Sequence, residues 1–283
     1  MFERLHSYAA LMRIDRPIGS LLLLWPTLWA LWIAGAGQPD AKVAAIFIVG
    51  VFVMRAAGCV INDYADRDID PHVTRTRGRP LASGKITSHE ALMLFVVLSA
   101  AAFYLVLLLN RLSLWFALAG MLMAALYPFV KRLTQLPQLF LGVVFSWGIP
   151  LAFAAQTGRV PGLAWVLLLA NLCWVLAYDT LYAMVDREDD LKIGVKSIAI
   201  LAGPYDLAVV AGGYVGALGL LFWVGLRLAL NHYYFAALLI AAVFAAFELY
   251  WSKDRQPDRC FAAFLNNTWW GAVVFVGLLL AYL

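Results

Sequence analysis

The sequence predicts an all-α integral membrane protein: a bundle of nine transmembrane helices with cytoplasmic cap loops. Three observations carry that prediction. Apolar residues make up 64% of the 283-residue chain and charged residues 13%, where soluble domains are about half apolar and about a quarter charged. The mean hydropathy is +0.82. The apolar residues fall in continuous runs of about 20, the length that crosses the hydrocarbon core as a helix, and not in the short alternating segments of a membrane β-barrel.

In order along the chain, the runs cover 18–36, 43–61, 91–109, 112–130, 136–155, 163–184, 207–228, 233–251 and 264–283. Lys and Arg assign their sidedness. Of the 21 basic residues, 16 fall in the N-terminal segment and in the loops after the second, fourth, sixth and eighth runs. Lys42, Arg111, Arg159 and Arg227 stand alone in the other loops, and Arg55 lies inside the second run. The positive-inside rule places the N-terminus and every long loop in the cytoplasm and the C-terminus outside. A multi-pass protein of a bacterial-type inner membrane is expected, with the mixed, charged N-terminal segment not read as a cleavable leader. The basic residues are scattered among apolar segments, which argues against nucleic acid as a partner. Cys59, Cys173 and Cys260 are far apart, and four histidines form no cluster, so neither a disulfide framework nor a zinc spacing is present. No obligate protein partner is evident.

The chemistry concentrates at two cytoplasmic helix ends. After the second run comes "NDYADRDID", in which Asn62, Asp66 and Asp70 recur every four residues, with Asp63 beside them. On a helix continued past the membrane surface they form one stripe. The sixth run ends in "YDTLYAMVDREDD", with Asp186 and Asp190 one turn apart and Asp179 and Tyr182 below them. Like charges at that spacing destabilise a helix and call for a cationic partner. Hard divalent cations suit them, since Mg²⁺ takes oxygen ligands, commonly one or two carboxylates with phosphates and water. The plainer account of either run is a solvated acidic cap neutralised by Arg67, Arg75 or Arg187; two runs on one membrane face favour the metal.

These motifs, with "RIDRPIGSLLLLWPTLWALW", "RTRGRPLASG", "YPFVKRLTQLPQ" and "SWGIPLAFAA", resemble those of UbiA-type membrane prenyltransferases. The likeness is to the branch that acts on 4-hydroxybenzoate, and it covers the chain up to about residue 201. It implies transfer of a polyprenyl group from a polyprenyl diphosphate to the ring carbon ortho to the hydroxyl of 4-hydroxybenzoate, an early step of ubiquinone biosynthesis. It further implies Mg²⁺ held by Asn62, Asp66, Asp70, Asp186 and Asp190, with Asp66, Asp70, Asp179, Asp186 and Asp190 as catalytic residues. Asp63, Arg75, Arg79 and Lys131 are then expected around the diphosphate, the plainer role of the basic three being to set topology. Residues 1–283 form a single transmembrane prenyltransferase domain in this reading, with cap loops at about 63–90 and 185–206 and the bilayer supplying the donor.

An arginine inside a span is costly and normally faces a polar partner. Arg55 therefore reads as a partner for Asp179 or for the acceptor's carboxylate, and Arg13 competes for the second role. Tyr178 and Tyr182 are placed against the acceptor. Trp25, Trp29, Trp32, Trp269 and Trp270 read as interface belt and packing, and the Gly212-x-x-x-Gly216 spacing reads as close helix packing. Two other functions fit the same features: prenylation of another aromatic or tetrapyrrole acceptor, and cation transport through an acidic vestibule.

Overall fold

The computed structural model describes residues 2–73, 75–134 and 136–283, apart from the side chains of residues 2, 131–133 and 193. A short helix α1 (Phe2–Leu11) precedes α2 (Ile18–Ala34), α3 (Ala41–Asp66), α4 (Ser88–Leu107) and α5 (Arg111–Leu133). Then follow α6 (Pro137–Ser146), α7 (Gly148–Thr157), α8 (Gly162–Ile193), α9 (Ile198–Ala202), α10 (Asp206–Arg227), α11 (His232–Ser252) and α12 (Pro257–Ala281). Among the described residues, eight helical segments are long and apolar enough to cross a membrane, counting α6 with α7 and α9 with α10. The 17-residue α2 adds a ninth at about 26 Å, just enough for the core. Every expected run is helical, so the chain is a multi-pass all-α membrane protein.

The helix ends follow local chemistry. Asp40 caps α3 through Val43 N, Asn110 caps α5 through Ser113 N, and Thr87 with Glu90 forms a reciprocal capping box on α4. The fifth crossing breaks at Trp147 because Pro150, three residues on, has no N–H for the carbonyl of Ser146. α1 was not expected from its composition. It docks by Leu11, packed with Val60, Leu81, Ile86 and Ala91, and by the Tyr8 hydroxyl, which donates to Glu90 Oε1 at 2.9 Å.

The main core lies where α2, α8 and α12 meet. Trp174 stacks on Trp270 at 4.8 Å and lies 5.4 Å from Trp29. These three indoles are buried, so they pack and form no interface belt, whereas Trp269 is exposed. Gly213 and Gly216 bring α10 onto α8: a Cβ on Gly213 would stand 2.7 Å from the Cys173 carbonyl, and one on Gly216 would stand 3.2 Å from its sulfur. Gly212, singled out by its spacing, faces open space. Gly213 thus replaces Gly212 as the packing partner of Gly216. Nearby, buried Glu248 accepts from Tyr214, Asn266 and Asn267, which satisfies a carboxylate inside the bundle.

One sequence expectation fails here. The stripe from Asn62 to Asp70 is not a continuous helix, because α3 ends at Asp66. Pro71 disfavours helical geometry in the residue before it, and Asp70–His72 forms a separate 3-10 turn. Asp70 reaches the site by a fold-back of the chain.

Candidate active site

α3 delivers the first acidic motif. Asn62 Nδ2 donates to Asp66 Oδ2 at 3.1 Å, the contact that i,i+4 spacing allows. Asp63 is 1% exposed, and arginines from two directions hold it. Arg13 Nη2 reaches its two carboxylate oxygens at 3.0 and 2.9 Å, and Arg79 Nη1 reaches Oδ1 at 3.0 Å. The same Arg79 nitrogen donates to Asp70 Oδ2 at 2.9 Å, so one guanidinium closes the fold-back. Burial pushes the Asp70 carboxyl above its usual pKa even against the pull of Arg79. Burial would lower Arg79, but Asp63 and Asp70 hold it above its ordinary value.

α8 delivers the second motif on an unbroken 32-residue helix, about 48 Å long and so reaching well beyond the hydrocarbon core. It stops at Gly194, whose φ of 74° is a left-handed cap that a side chain would resist. Arg75 crosses from the first cap loop and grips Asp186 with a fork, Nε to Oδ1 at 2.8 Å and Nη2 to Oδ2 at 2.5 Å. Its guanidinium also lies 4.7 Å from the Tyr182 ring centre. Burial would lower the Arg75 pKa, but these hydrogen bonds hold it above its ordinary value. Of the arginines that the capped-helix account offered, Arg75 is the one on Asp186, and Arg187 is not. It turns away to Ala199 O at 2.7 Å and to buried Asp206, which Arg255 also grips, fastening the second cap loop.

Both motifs open into one cavity of about 1360 Å³. Its lining includes Asn62, Asp63, Asp66, Asp70, Asp186 and Asp190, the arginines Arg13, Arg55, Arg75 and Arg79, and Tyr178, Asp179 and Tyr182. Every described site residue inferred from the sequence is therefore brought together, while the side chain of Lys131 lies outside the described residues. No group of three or more His, Cys, Asp or Glu among the described residues is gathered closely enough to hold a metal by itself. Arg55 forms no ion pair with Asp179; its Nε is buried without a hydrogen-bond partner, and its guanidinium carbon lies 5.9 Å from the Phe145 ring centre. The Tyr178 hydroxyl is likewise buried without a partner. Arg13, the rival for the acceptor, already uses Nη1 on Ala10 O and Nη2 on Asp63. Sequence reasoning missed Tyr127, which lines the same cavity; its place four residues before Lys131, on the same face of α5, was the available signal.

The model of the UbiA prenyltransferase family matches residues 23–281. The chain belongs to that family. It is 58% identical over 283 residues to a 4-hydroxybenzoate octaprenyltransferase of Nitrosococcus oceani, covering 100% of this chain and 99% of that one. Among solved structures, the apo form of a UbiA homologue from Aeropyrum pernix K1 superposes with a TM-score of 0.82 at 25% identity, covering 94% of this chain and 99% of that chain. A UbiA homologue from Archaeoglobus fulgidus bound to GPP and Mg²⁺ shares the fold, with a TM-score of 0.73 at 17% identity over 96% of this chain and 99% of that chain.

Proposed function

We propose that this UbiA-family chain transfers a polyprenyl group from its diphosphate to the ring carbon ortho to the hydroxyl of 4-hydroxybenzoate, feeding ubiquinone biosynthesis. The observation that carries the reading is the single cavity, acidic and arginine-rich at its mouth and apolar in its depth. A cation transporter would need charged groups or broken helices near the midplane of several spans. Here the acidic groups crowd at one end. The full-length likeness to 4-hydroxybenzoate octaprenyltransferase supports that acceptor over a naphthoate or a tetrapyrrole.

Residues 1–283 act as one domain in a bacterial-type inner membrane, N-terminus in the cytoplasm, with cap loops at about 63–90 and 185–206 over the mouth. The donors offered by Asn62, Asp66, Asp70, Asp186 and Asp190 are hard oxygens, which fit Mg²⁺ shared with substrate phosphates and water. Arg79 against Asp70 and Arg75 against Asp186 mark the same carboxylates as seats for positive charge. When bound, Mg²⁺ neutralises the charge that gathers on the departing diphosphate. Arg75 and Arg79 donate to phosphate oxygens, with Lys131 beside them, and Asp63 holds Arg79 in place. Arg55, not Arg13, presents free donors to the acceptor's carboxylate, and Tyr178 and Tyr182 orient the phenol. Once the C–O bond to diphosphate has broken, the ring carbon bonds to the allylic carbon, and Asp179 then accepts the proton whose loss restores aromaticity. The apolar lining keeps water from the allylic cation.

Membranes containing the chain, given a polyprenyl diphosphate and 4-hydroxybenzoate, are expected to release diphosphate and form the prenylated benzoate only with Mg²⁺ present. Turnover of a naphthoate or homogentisate in its place would reassign the acceptor. No diphosphate release from any donor would end the prenyltransferase reading.

A further inference from the structure

The acidic mouth accounts for a donor's head, yet the cavity continues far below it. One stripe of α3 runs along that depth: Gly50, Met54, Gly58 and Asn62 recur every four residues, and all four line the cavity. Gly58 lies about 6 Å below Asn62 along the helix and Gly50 about 18 Å below it. A glycine inside a helix costs about 0.5–1 kcal/mol relative to alanine, and in membrane spans small residues normally repay that by letting another helix approach. Neither glycine does so, since a Cβ built on either meets nothing within 4 Å. Three other cavity-lining glycines of the bundle behave differently: a Cβ on Gly19, Gly120 or Gly148 would stand 2.5 Å from Arg55, 2.6 Å from Trp147 or 2.8 Å from Thr27. Gly50 and Gly58 therefore keep space open and not helices close. Tyr178, a residue only 1% exposed whose buried hydroxyl has no partner, lines the same cavity. At the level of Gly50 the lining is apolar, including Phe47, Val51, Phe103 and Val106.

We propose that Gly50 determines which donor tails the enzyme accepts, its missing side chain leaving the passage that a long polyprenyl tail threads and a short tail never reaches. Gly58, nearer the head, clears the way for every donor. This deepens the reading given under Proposed function and rests on it. Gly50→Phe adds bulk into open space and exchanges glycine for a better helix former, so the fold is expected to survive. The assay uses purified wild type and variants with 4-hydroxybenzoate, Mg²⁺ and either octaprenyl diphosphate or a short donor, geranyl or farnesyl diphosphate. In Gly50→Phe, kcat/KM for the octaprenyl donor is expected to fall at least about tenfold, with the short donors within about twofold of wild type. Gly58→Phe is expected to depress all donors, and Gly50→Ala none. An unchanged ratio between long and short donors in Gly50→Phe overturns the proposal, as does a wild type that uses the octaprenyl donor but no short one. Absence of any wild-type prenylation would instead remove the function on which the proposal rests.

Discussion

At the end of α3, Asp63, Asp66 and Asp70 are buried, and Arg13 and Arg79 hold Asp63 from opposite sides. At the end of α8, Asp186 and Asp190 are only half-buried, and the grip on Asp186 comes from Arg75 on the cap loop of the other motif. The first motif is a locked frame, in which a turn and a shared guanidinium fix the third carboxylate. The second is a straight helical ladder whose spacing alone sets its geometry and whose mouth the loop closes. The two sides of the mouth therefore differ in how their charge is held: two arginines on Asp63, and one on Asp186. Arg75 joins the two motifs, reaching from the first cap loop to the Asp186 carboxylate.

The largest test of this contrast removes one carboxylate from each side. Asp66→Asn and Asp190→Asn are each expected to abolish turnover, a loss of about a hundredfold or more, while the protein still inserts and purifies as wild type. Near-normal rates in both would sink the metal role. Next in size is stability. Arg79→Ala leaves two buried carboxylates short of a partner and is expected to cost about 3 kcal/mol, whereas Arg75→Ala uncovers a single carboxylate that is 15% exposed and is expected to cost about half as much. Thermal unfolding in detergent reads the difference, and equal shifts would erase the distinction between frame and ladder. The smallest effect concerns the level below the motifs, where α3 presents Arg55 and α8 presents Asp179. Arg55→Leu is expected to raise KM for 4-hydroxybenzoate about tenfold, the value of one charge-assisted pair, with KM for the donor unmoved. A parallel rise in both would place Arg55 elsewhere.

Asp186 and Asp190 were legible in the sequence because a helix turns its spacing directly into a face. Asp70 was legible as a residue but not as a geometry. Its four-residue spacing extrapolated a helix that ends at Asp66, and the side chain arrives by a turn that Arg79 closes from nine positions downstream. Arg13 and Arg55 were indistinguishable as readers of an acceptor. Only folding commits Arg13 to Asp63 and leaves Arg55 without a carboxylate of its own. Arg67, Arg75 and Arg187 were likewise equal candidates to neutralise the motifs, and only folding sets Arg75 on Asp186 and sends Arg187 to Asp206, beyond a loop whose path no local pattern records.

The sequence by itself determined the apolar runs that become helices, the alternation of basic and basic-poor loops, and the family to which the chain belongs. Those follow from composition and from periodicities shorter than two helical turns, which the backbone converts into structure residue by residue. Tertiary structure alone decided which arginine neutralises which carboxylate, where the fifth crossing yields at Trp147, and that Gly50 and Gly58 face the open cavity. These are facts about residues far apart in the chain meeting, or failing to meet, at distances of a few ångströms. Packing fixes them, and no spacing along one helix encodes them.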